Sequence, residues 1–288
     1  MQLIYFIGLI ILAAIWGASF LFMRVASPEF GPFALNLIRI TGAALILLPL
    51  CLKPDFRQTL KKYWSHFMLL GATNYAIPFT LFSYTSLTLN SGFTSLINAT
   101  TPILTAVIGV SFFQNKIQVK QIIGLLLAFL GIYIVSIQSL SLYLNGTLLA
   151  IFAGLIATSG YGYSLLHAKK YLHELKALEM TAGGLFFGGL YLIIPGVIYW
   201  PQQIPSTQSW LSAFALTILC TVIAFLIFFQ IIKKLGALAS STVTFLVPIF
   251  AISWGVLLLN ETLSLQIILG IIVILTGTAL VVFSTKKQ

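Results

Sequence analysis

Acidic residues are almost missing: five Asp and Glu stand in 288 positions against fifteen Lys and Arg, and charged residues of both signs reach only 7%. A soluble globular chain carries about 25% charged residues, so a soluble enzyme is excluded. Hydrophobic residues at 59% and a mean hydropathy of +1.06 make the lipid bilayer the partner of this chain. Cysteine is scarce as well. Cys51 and Cys220 lie in apolar runs without metal-ligand spacing, which excludes a disulfide framework and a zinc site and leaves both as packing residues. Paired carboxylates, histidine clusters and a nucleophile beside its base are all lacking, so an intramembrane enzyme has no parts to work with and no cofactor or metal is expected. A channel would need a filter or charged rings, and none repeats. The net charge of +10 would suggest nucleic acid on a soluble protein. Here the basic residues sit in short loops between apolar runs, and no nucleic-acid partner is expected.

What is present is a series of apolar runs bounded by charge, Pro or Gly. They predict an all-α polytopic membrane protein of ten spans near 3–25, 32–52, 66–87, 92–113, 118–138, 146–167, 178–200, 210–232, 237–259 and 264–284. The first run, Leu3 to Val25, is too long for a signal-peptide core and lacks a basic flank, so it reads as a span. Thirteen of the fifteen basic residues fall on one side: Lys53, Arg57, Lys61, Lys62, Lys116, Lys120, Lys169, Lys170, Lys176, Lys233, Lys234, Lys286 and Lys287. Arg24 alone lies opposite and Arg39 lies within span 2. By the positive-inside bias both termini are cytoplasmic, which requires an even number of spans.

Sliding the chain against itself exposes a repeat. At an offset of 146 residues Pro49 falls on Pro195, Gly42 on Gly188, Trp64 on Trp210, Phe82 on Phe228, Pro102 on Pro248, Gly109 on Gly255, Gly124 on Gly270 and Gly131 on Gly277. At 145 residues Trp16–Ser19 meets Tyr161–Ser164 and Arg24 meets Lys169. The expected units are residues 1–140 and 141–288, each with five spans. An odd number forces the two to enter the membrane in opposite senses. Orientation charges agree: Leu87 and Thr88 correspond to Lys233 and Lys234, and Lys61 and Lys62 to Thr207 and Gln208.

These inverted repeats, the WGASF segment Trp16–Phe20, Arg39, the TPILTAVIG segment Thr101–Gly109, and the long segment from Leu235 to Ser264 followed by Gly270 and Gly277 resemble the EamA-type branch of the drug/metabolite transporter superfamily. The resemblance covers nearly the whole chain. It implies a bacterial inner-membrane exporter or facilitator of amino acids or related small metabolites, with a central cavity formed by spans 1, 3, 4, 6, 8 and 9. One departure is that the Glu usual at the end of span 4 is Asn115 here, whereas Glu261 is kept after span 9.

A cavity for a small-molecule substrate needs polar or aromatic groups at membrane depth. Span 4 offers Ser91, Thr94, Ser95, Asn98, Thr101 and Thr105 at helical spacing, and span 9 repeats it with Ser240, Ser241 and Thr244. Small hydroxyl residues also serve helix packing, so both roles stay open for them, while the larger amide of Asn98 favours the cavity. Trp16 with Ser19, and Tyr161 with Ser164, share faces in equivalent places, and Asn74, Tyr75, Tyr84, Tyr163, Gln230 and Trp254 are further candidates. Arg39, about 10 Å deep at 1.5 Å per residue, either holds a substrate carboxylate or binds backbone carbonyls and snorkels outward. None of the carboxylates is mid-span, which favours a facilitator over a carboxylate proton relay. His66 and His167, near span ends, receive no relay role. Pro102 and Pro248 at equivalent mid-helix points are candidate hinges, and Asn74, Pro78 and the neighbouring small residues are a candidate break in span 3 with no matching Pro in span 8. Gly124/Gly131 and Gly270/Gly277 read as close-packing faces between halves, or as the face a homodimer would use.

Overall fold

A computed structural model describes residues 2–51, 53–114, 118–140, 144–228, 230–231, 243–262 and 264–284. In hydrocarbon the backbone must bond to itself, and the described residues accordingly form helices and no strand. The helical run α1 (Gln2–Cys51) supplies the first two spans and is broken at Gly31, where φ is 70° and ψ is 161°. Pro28 and Pro32 flank the break, so the connection expected over several residues shrinks to one. Where the sequence reading leaves a loop, α2 (Pro54–Lys62) forms a short amphipathic helix that buries Phe56 and keeps Asp55, Lys61 and Lys62 exposed.

Span 3 is composite: α3 (Trp64–Leu70), a π-helical turn (Gly71–Ala76) and α4 (Ile77–Thr88). Span 4 divides into α5 (Ser91–Asn98) and α6 (Thr101–Phe113), separated by a turn at Ala99 and Thr100. Pro102 therefore stands in the first turn of α6, where its missing N–H costs nothing, and not in a helix interior as expected. After these come α7 (Val119–Leu140), α8 (Leu144–Tyr171), α9 (Ala177–Ile198) and α10 (Thr207–Thr217). A second π-helical turn (Ile218–Ile223) leads from α10 into helical residues 224–228. The run closes with α11 (Val243–Leu259), which contains Pro248 without a break, and α12 (Leu265–Ser284). Five described stretches, Ile7–Leu47, Ser91–Phe113, Gly146–Tyr171, Ala177–Ile198 and Thr207–Phe228, are long and apolar enough to cross a bilayer, and the 41 residues of the first suffice for two passes.

The halves interlock: α1 packs on α9, α10 and α11, α4 on α8, and α7 on α12. Small residues make the crossings close. A Cβ on Gly71 would stand 2.6 Å from the Gly188 nitrogen, so the third and seventh spans touch backbone to backbone. The glycine faces of α7 and α12 meet each other: a Cβ on Gly277 would lie 2.5 Å from the Gly124 carbonyl oxygen, and one on Gly131 3.0 Å from the Ile274 nitrogen.

Two kinds of glycine are separable by mutation. Gly31→Ala meets no atom within 4 Å but places a side chain at a glycine-only φ, and is expected to cost about 1–3 kcal/mol. Gly277→Leu forces α7 and α12 apart, at a similar cost of about 1–3 kcal/mol. Gly146→Ala, whose Cβ meets only Thr88 at 3.8 Å, should leave stability unchanged. Thermal unfolding of the three variants in detergent checks this ranking.

Candidate functional site

The two π-helical turns and the break between α5 and α6 turn side chains toward one cavity of about 250 Å³. The first π-helical turn presents Asn74, the second presents Cys220, and the break between α5 and α6 presents Asn98 and Thr101. From α1 come Trp16, Ser19, Phe20, Met23 and Arg39; α4 adds Phe79 and Phe82, α8 adds Tyr161, and Phe225 and Val247 complete the wall. Insertion of a π-turn shifts helical phase by one residue, a device common at functional sites. The Thr221 hydroxyl donates to the carbonyl of Leu216 five residues back at 2.8 Å, which fastens the widened turn.

The wall is pseudo-symmetric. Asn74 and Cys220, Phe79 and Phe225, and Thr101 and Val247 are each 146 positions apart, and Trp16 and Tyr161 are 145 apart. Position is shared between halves, but chemistry is not: the first half supplies two amides, a serine, a threonine and the arginine, whereas the second supplies Tyr161, Cys220, Phe225 and Val247. Aromatic rings close the sides. Trp16 meets Phe225 edge-on at 6.0 Å and Phe228 at 5.1 Å, while Phe82 stacks on Tyr161 at 6.0 Å.

Arg39 is 4% exposed, and its side chain does not snorkel. Its Nε donates to Thr221 Oγ1 at 3.0 Å, its Nη1 lies 3.9 Å from Met23 Sδ, and its guanidinium carbon stands 3.9 Å over the Phe79 ring. All five carboxylates of the chain are engaged or exposed elsewhere. Glu29 accepts from the Ser206 N–H and hydroxyl, and Glu261 accepts from the Ser91 N–H at 2.9 Å and its hydroxyl at 2.7 Å. Glu179 accepts from the Lys176 N–H, Glu174 lies 3.4 Å from the Tyr63 hydroxyl, and Asp55 is exposed on α2. Two of these contacts, Glu29 to Ser206 and Glu261 to Ser91, join one half to the other.

Of the residues singled out in the sequence, Trp16, Ser19, Arg39, Asn74, Asn98, Thr101 and Tyr161 share the cavity. Thr94 and Ser95 do not line it: both are 0% exposed, with their hydroxyls donating to the Asn90 and Gly92 carbonyls of their own helix. Tyr75 is buried, its ring against the position a Cβ would take on Gly184 and its own Cβ against that on Gly188. Trp254 donates to the Ala14 carbonyl at 3.0 Å and ties α11 to α1. Tyr163 stacks on His167, Ser164 is buried off the cavity, Tyr84 is half-buried off it, and Gln230 is exposed. Ser240, Ser241 and the side chain of Thr244 lie outside the described residues. Phe20, Met23, Phe79, Phe82, Phe225 and Val247 were missed, because among 23 phenylalanines only three-dimensional phase distinguishes cavity from lipid. The histidines were read singly, yet His66 Nδ1 and His167 Nε2 are 2.9 Å apart, a pairing hidden by 101 residues of separation.

A cavity lined from both halves of a two-repeat helical membrane fold is the arrangement of many membrane transporters. The chain belongs to the EamA-like transporter family, whose model matches it twice, over residues 3–137 and 148–283. It is 26% identical over 245 residues to the uncharacterized transporter in the trpA 3' region of Buchnera aphidicola subsp. Schlechtendalia chinensis, covering 83% of this chain and 80% of that one. Identity to the uncharacterized transporters YvbV and YoaV of Bacillus subtilis is 24% over 284 residues and 22% over 287, covering 96% and 98% of this chain and 91% and 98% of theirs. A solved crystal structure, 16% identical, superposes with a TM-score of 0.62 over 98% of this chain and 97% of its own, which shows the shared fold.

Thr221 is the hydrogen-bond acceptor that positions Arg39, so Thr221→Val should destabilise the protein by about 1.5–3 kcal/mol, the range for a hydrogen bond to a charged group. Thr221→Ser should restore most of it. Thermal unfolding in detergent, compared across the pair, reads the difference.

Proposed function

We propose that the protein is a secondary carrier of a bacterial cytoplasmic membrane, with both termini in the cytoplasm, that moves small metabolites, amino acids first, out of the cell by alternating access. The observation that carries this reading is the cavity whose wall is built from equivalent positions of two inverted halves. A site on the pseudo-twofold axis is reached from either side when one half rocks against the other. At about 250 Å³ it falls just below the ~300–1,000 Å³ of pockets for drug-sized ligands, which suits a small metabolite. The one-sided distribution of thirteen basic residues supports the orientation.

A carrier, and neither an enzyme nor a channel, fits a wall of amides, aromatics and one arginine. With no carboxylate in the wall, the reading favours facilitated exchange over a carboxylate proton relay. The break at Ala99–Thr100 and the two π-helical turns are the places where helices facing the cavity can bend. Pro248, mid-helix in α11, stays a hinge candidate beside them, whereas Pro102 serves to start α6.

Counterflow in proteoliposomes tests the proposal. Vesicles loaded with unlabelled amino acids should accumulate labelled amino acid transiently without any ion gradient, and Trp16→Ala or Tyr161→Ala should reduce the initial rate by about tenfold or more, as loss of a buried aromatic contact predicts. Flux that rises linearly with concentration and shows no trans-stimulation would indicate a channel. Exchange of nucleosides in place of amino acids would keep the carrier and replace its cargo.

A further inference from the structure

We propose that the cargo is a small carboxylate with an apolar or aromatic tail, bound through its anionic group by Arg39, and that an ammonium group on the cargo is dispensable. This rests on the carrier reading and names the substrate class of the same cavity.

Arg39 carries a buried charge that meets no carboxylate among the described residues. Arginine stays protonated in a protein, and a charge taken out of water is costly unless an opposite charge and hydrogen bonds meet it. Arg39 is 4% exposed, and among the described residues its guanidinium meets neutral groups: the Thr221 hydroxyl, the Met23 sulfur and the Phe79 ring. None of the chain's five carboxylates reaches it, since Glu29, Glu174, Glu179 and Glu261 are engaged by other groups and Asp55 is exposed on α2. Its two Nη atoms, the pair a carboxylate engages side on, find no oxygen acceptor among the described residues, and Arg39 forms part of the cavity wall. The fork is already oriented, because Nε is held by Thr221 and the plane lies over Phe79. A carboxylate arriving there supplies the missing countercharge without reorganising the site.

The same wall says what the rest of the cargo is like. An ammonium group would find only neutral acceptors, the amides of Asn74 and Asn98 and the hydroxyls of Ser19, Thr101 and Tyr161, together with repulsion from Arg39 in a medium of low dielectric. Removing the ammonium therefore loses little and relieves that repulsion. The aromatic flank of Trp16, Phe79, Phe82 and Phe225 matches a tail without charge. An amino acid would bind through the half of it that is a carboxylate, and the corresponding 2-oxo acid or arylalkanoate would bind at least as well.

The experiment is a matched ligand series on the full-length wild-type protein in detergent, read by isothermal titration and by thermal stabilisation. Phenylpyruvate, phenylacetate and phenylalanine should bind. Phenylalaninamide, phenethylamine and phenylethanol should bind about ten- to a hundredfold more weakly, the loss expected when a charge-assisted contact is removed. Arg39→Gln should erase the preference for carboxylates, and Arg39→Lys should retain part of it. The wild-type series stands even where a variant fails to fold. Equal binding of phenethylamine and phenylpyruvate, tighter binding of phosphate or chloride than of any carboxylate, or no binding across carboxylates of graded tail size by folded protein would each overturn the proposal. Counterflow of uncharged solutes that survives Arg39→Gln would sink the substrate class while keeping the carrier. Carboxylate binding without any counterflow would sink the carrier while keeping the site.

Discussion

Hydrocarbon cannot hydrogen-bond a peptide group, and that single constraint organises this molecule. Inside a bilayer an α-helix satisfies its own backbone, so any departure from it must be buried in protein or face a polar cavity. The π-helical turns at Gly71–Ala76 and Ile218–Ile223 and the break at Ala99–Thr100 all lie in spans whose side chains reach the same interior space. The irregular backbone and the cavity are one feature. A straight third or eighth span would carry Asn74 or Cys220 at a different phase, and Thr221 would no longer stand under the Arg39 guanidinium.

Duplication with inversion accounts for where the cavity is, and divergence accounts for what it does. Equivalent positions line it from both sides, as Trp16 with Tyr161 and Phe79 with Phe225 show. The amides and the arginine come from one half: Asn74 has a cysteine as its equivalent and Thr101 a valine. A symmetric pocket would present the same chemistry twice, whereas this one presents unlike chemistry from its two halves. Glu29 on Ser206 and Glu261 on Ser91 add hydrogen bonds between the halves away from the cavity.

Much of the architecture was legible because bilayer thickness leaves little freedom: the seventh span, expected at 178–200, is α9 at Ala177–Ile198. The break at Gly31 and the helix Pro54–Lys62 were less legible, since a turn of one residue and a surface helix leave no trace in hydropathy. Half-legible is the fair description of the cavity. Trp16, Arg39, Asn74, Asn98 and Tyr161 stood out as polar or aromatic groups at depth and do meet there. Thr94 and Ser95 looked the same in sequence, but a hydroxyl can satisfy itself on its own helix, so a polar stripe does not separate cavity from packing. The first π-helical turn, Gly71–Ala76, was marked by Asn74, Pro78 and their small neighbours, whereas Ile218–Ile223 has no matching proline and left no signal. Arg39 was ambiguous for a different reason: whether a buried arginine finds a counterion depends on where five distant carboxylates end up.

The central claim is that one cavity, shared by both halves and anchored at Arg39, is where cargo sits. Crystals of the full-length protein grown with para-bromophenylpyruvate test it directly, because the bromine gives an anomalous peak at the tail of the ligand and fixes its direction. The account predicts one peak inside the cavity, among Trp16, Phe82 and Phe225, with the carboxylate at the Arg39 Nη atoms. A peak on the lipid-facing surface, or one beside Arg39 with the carboxylate turned away from it, would contradict the account.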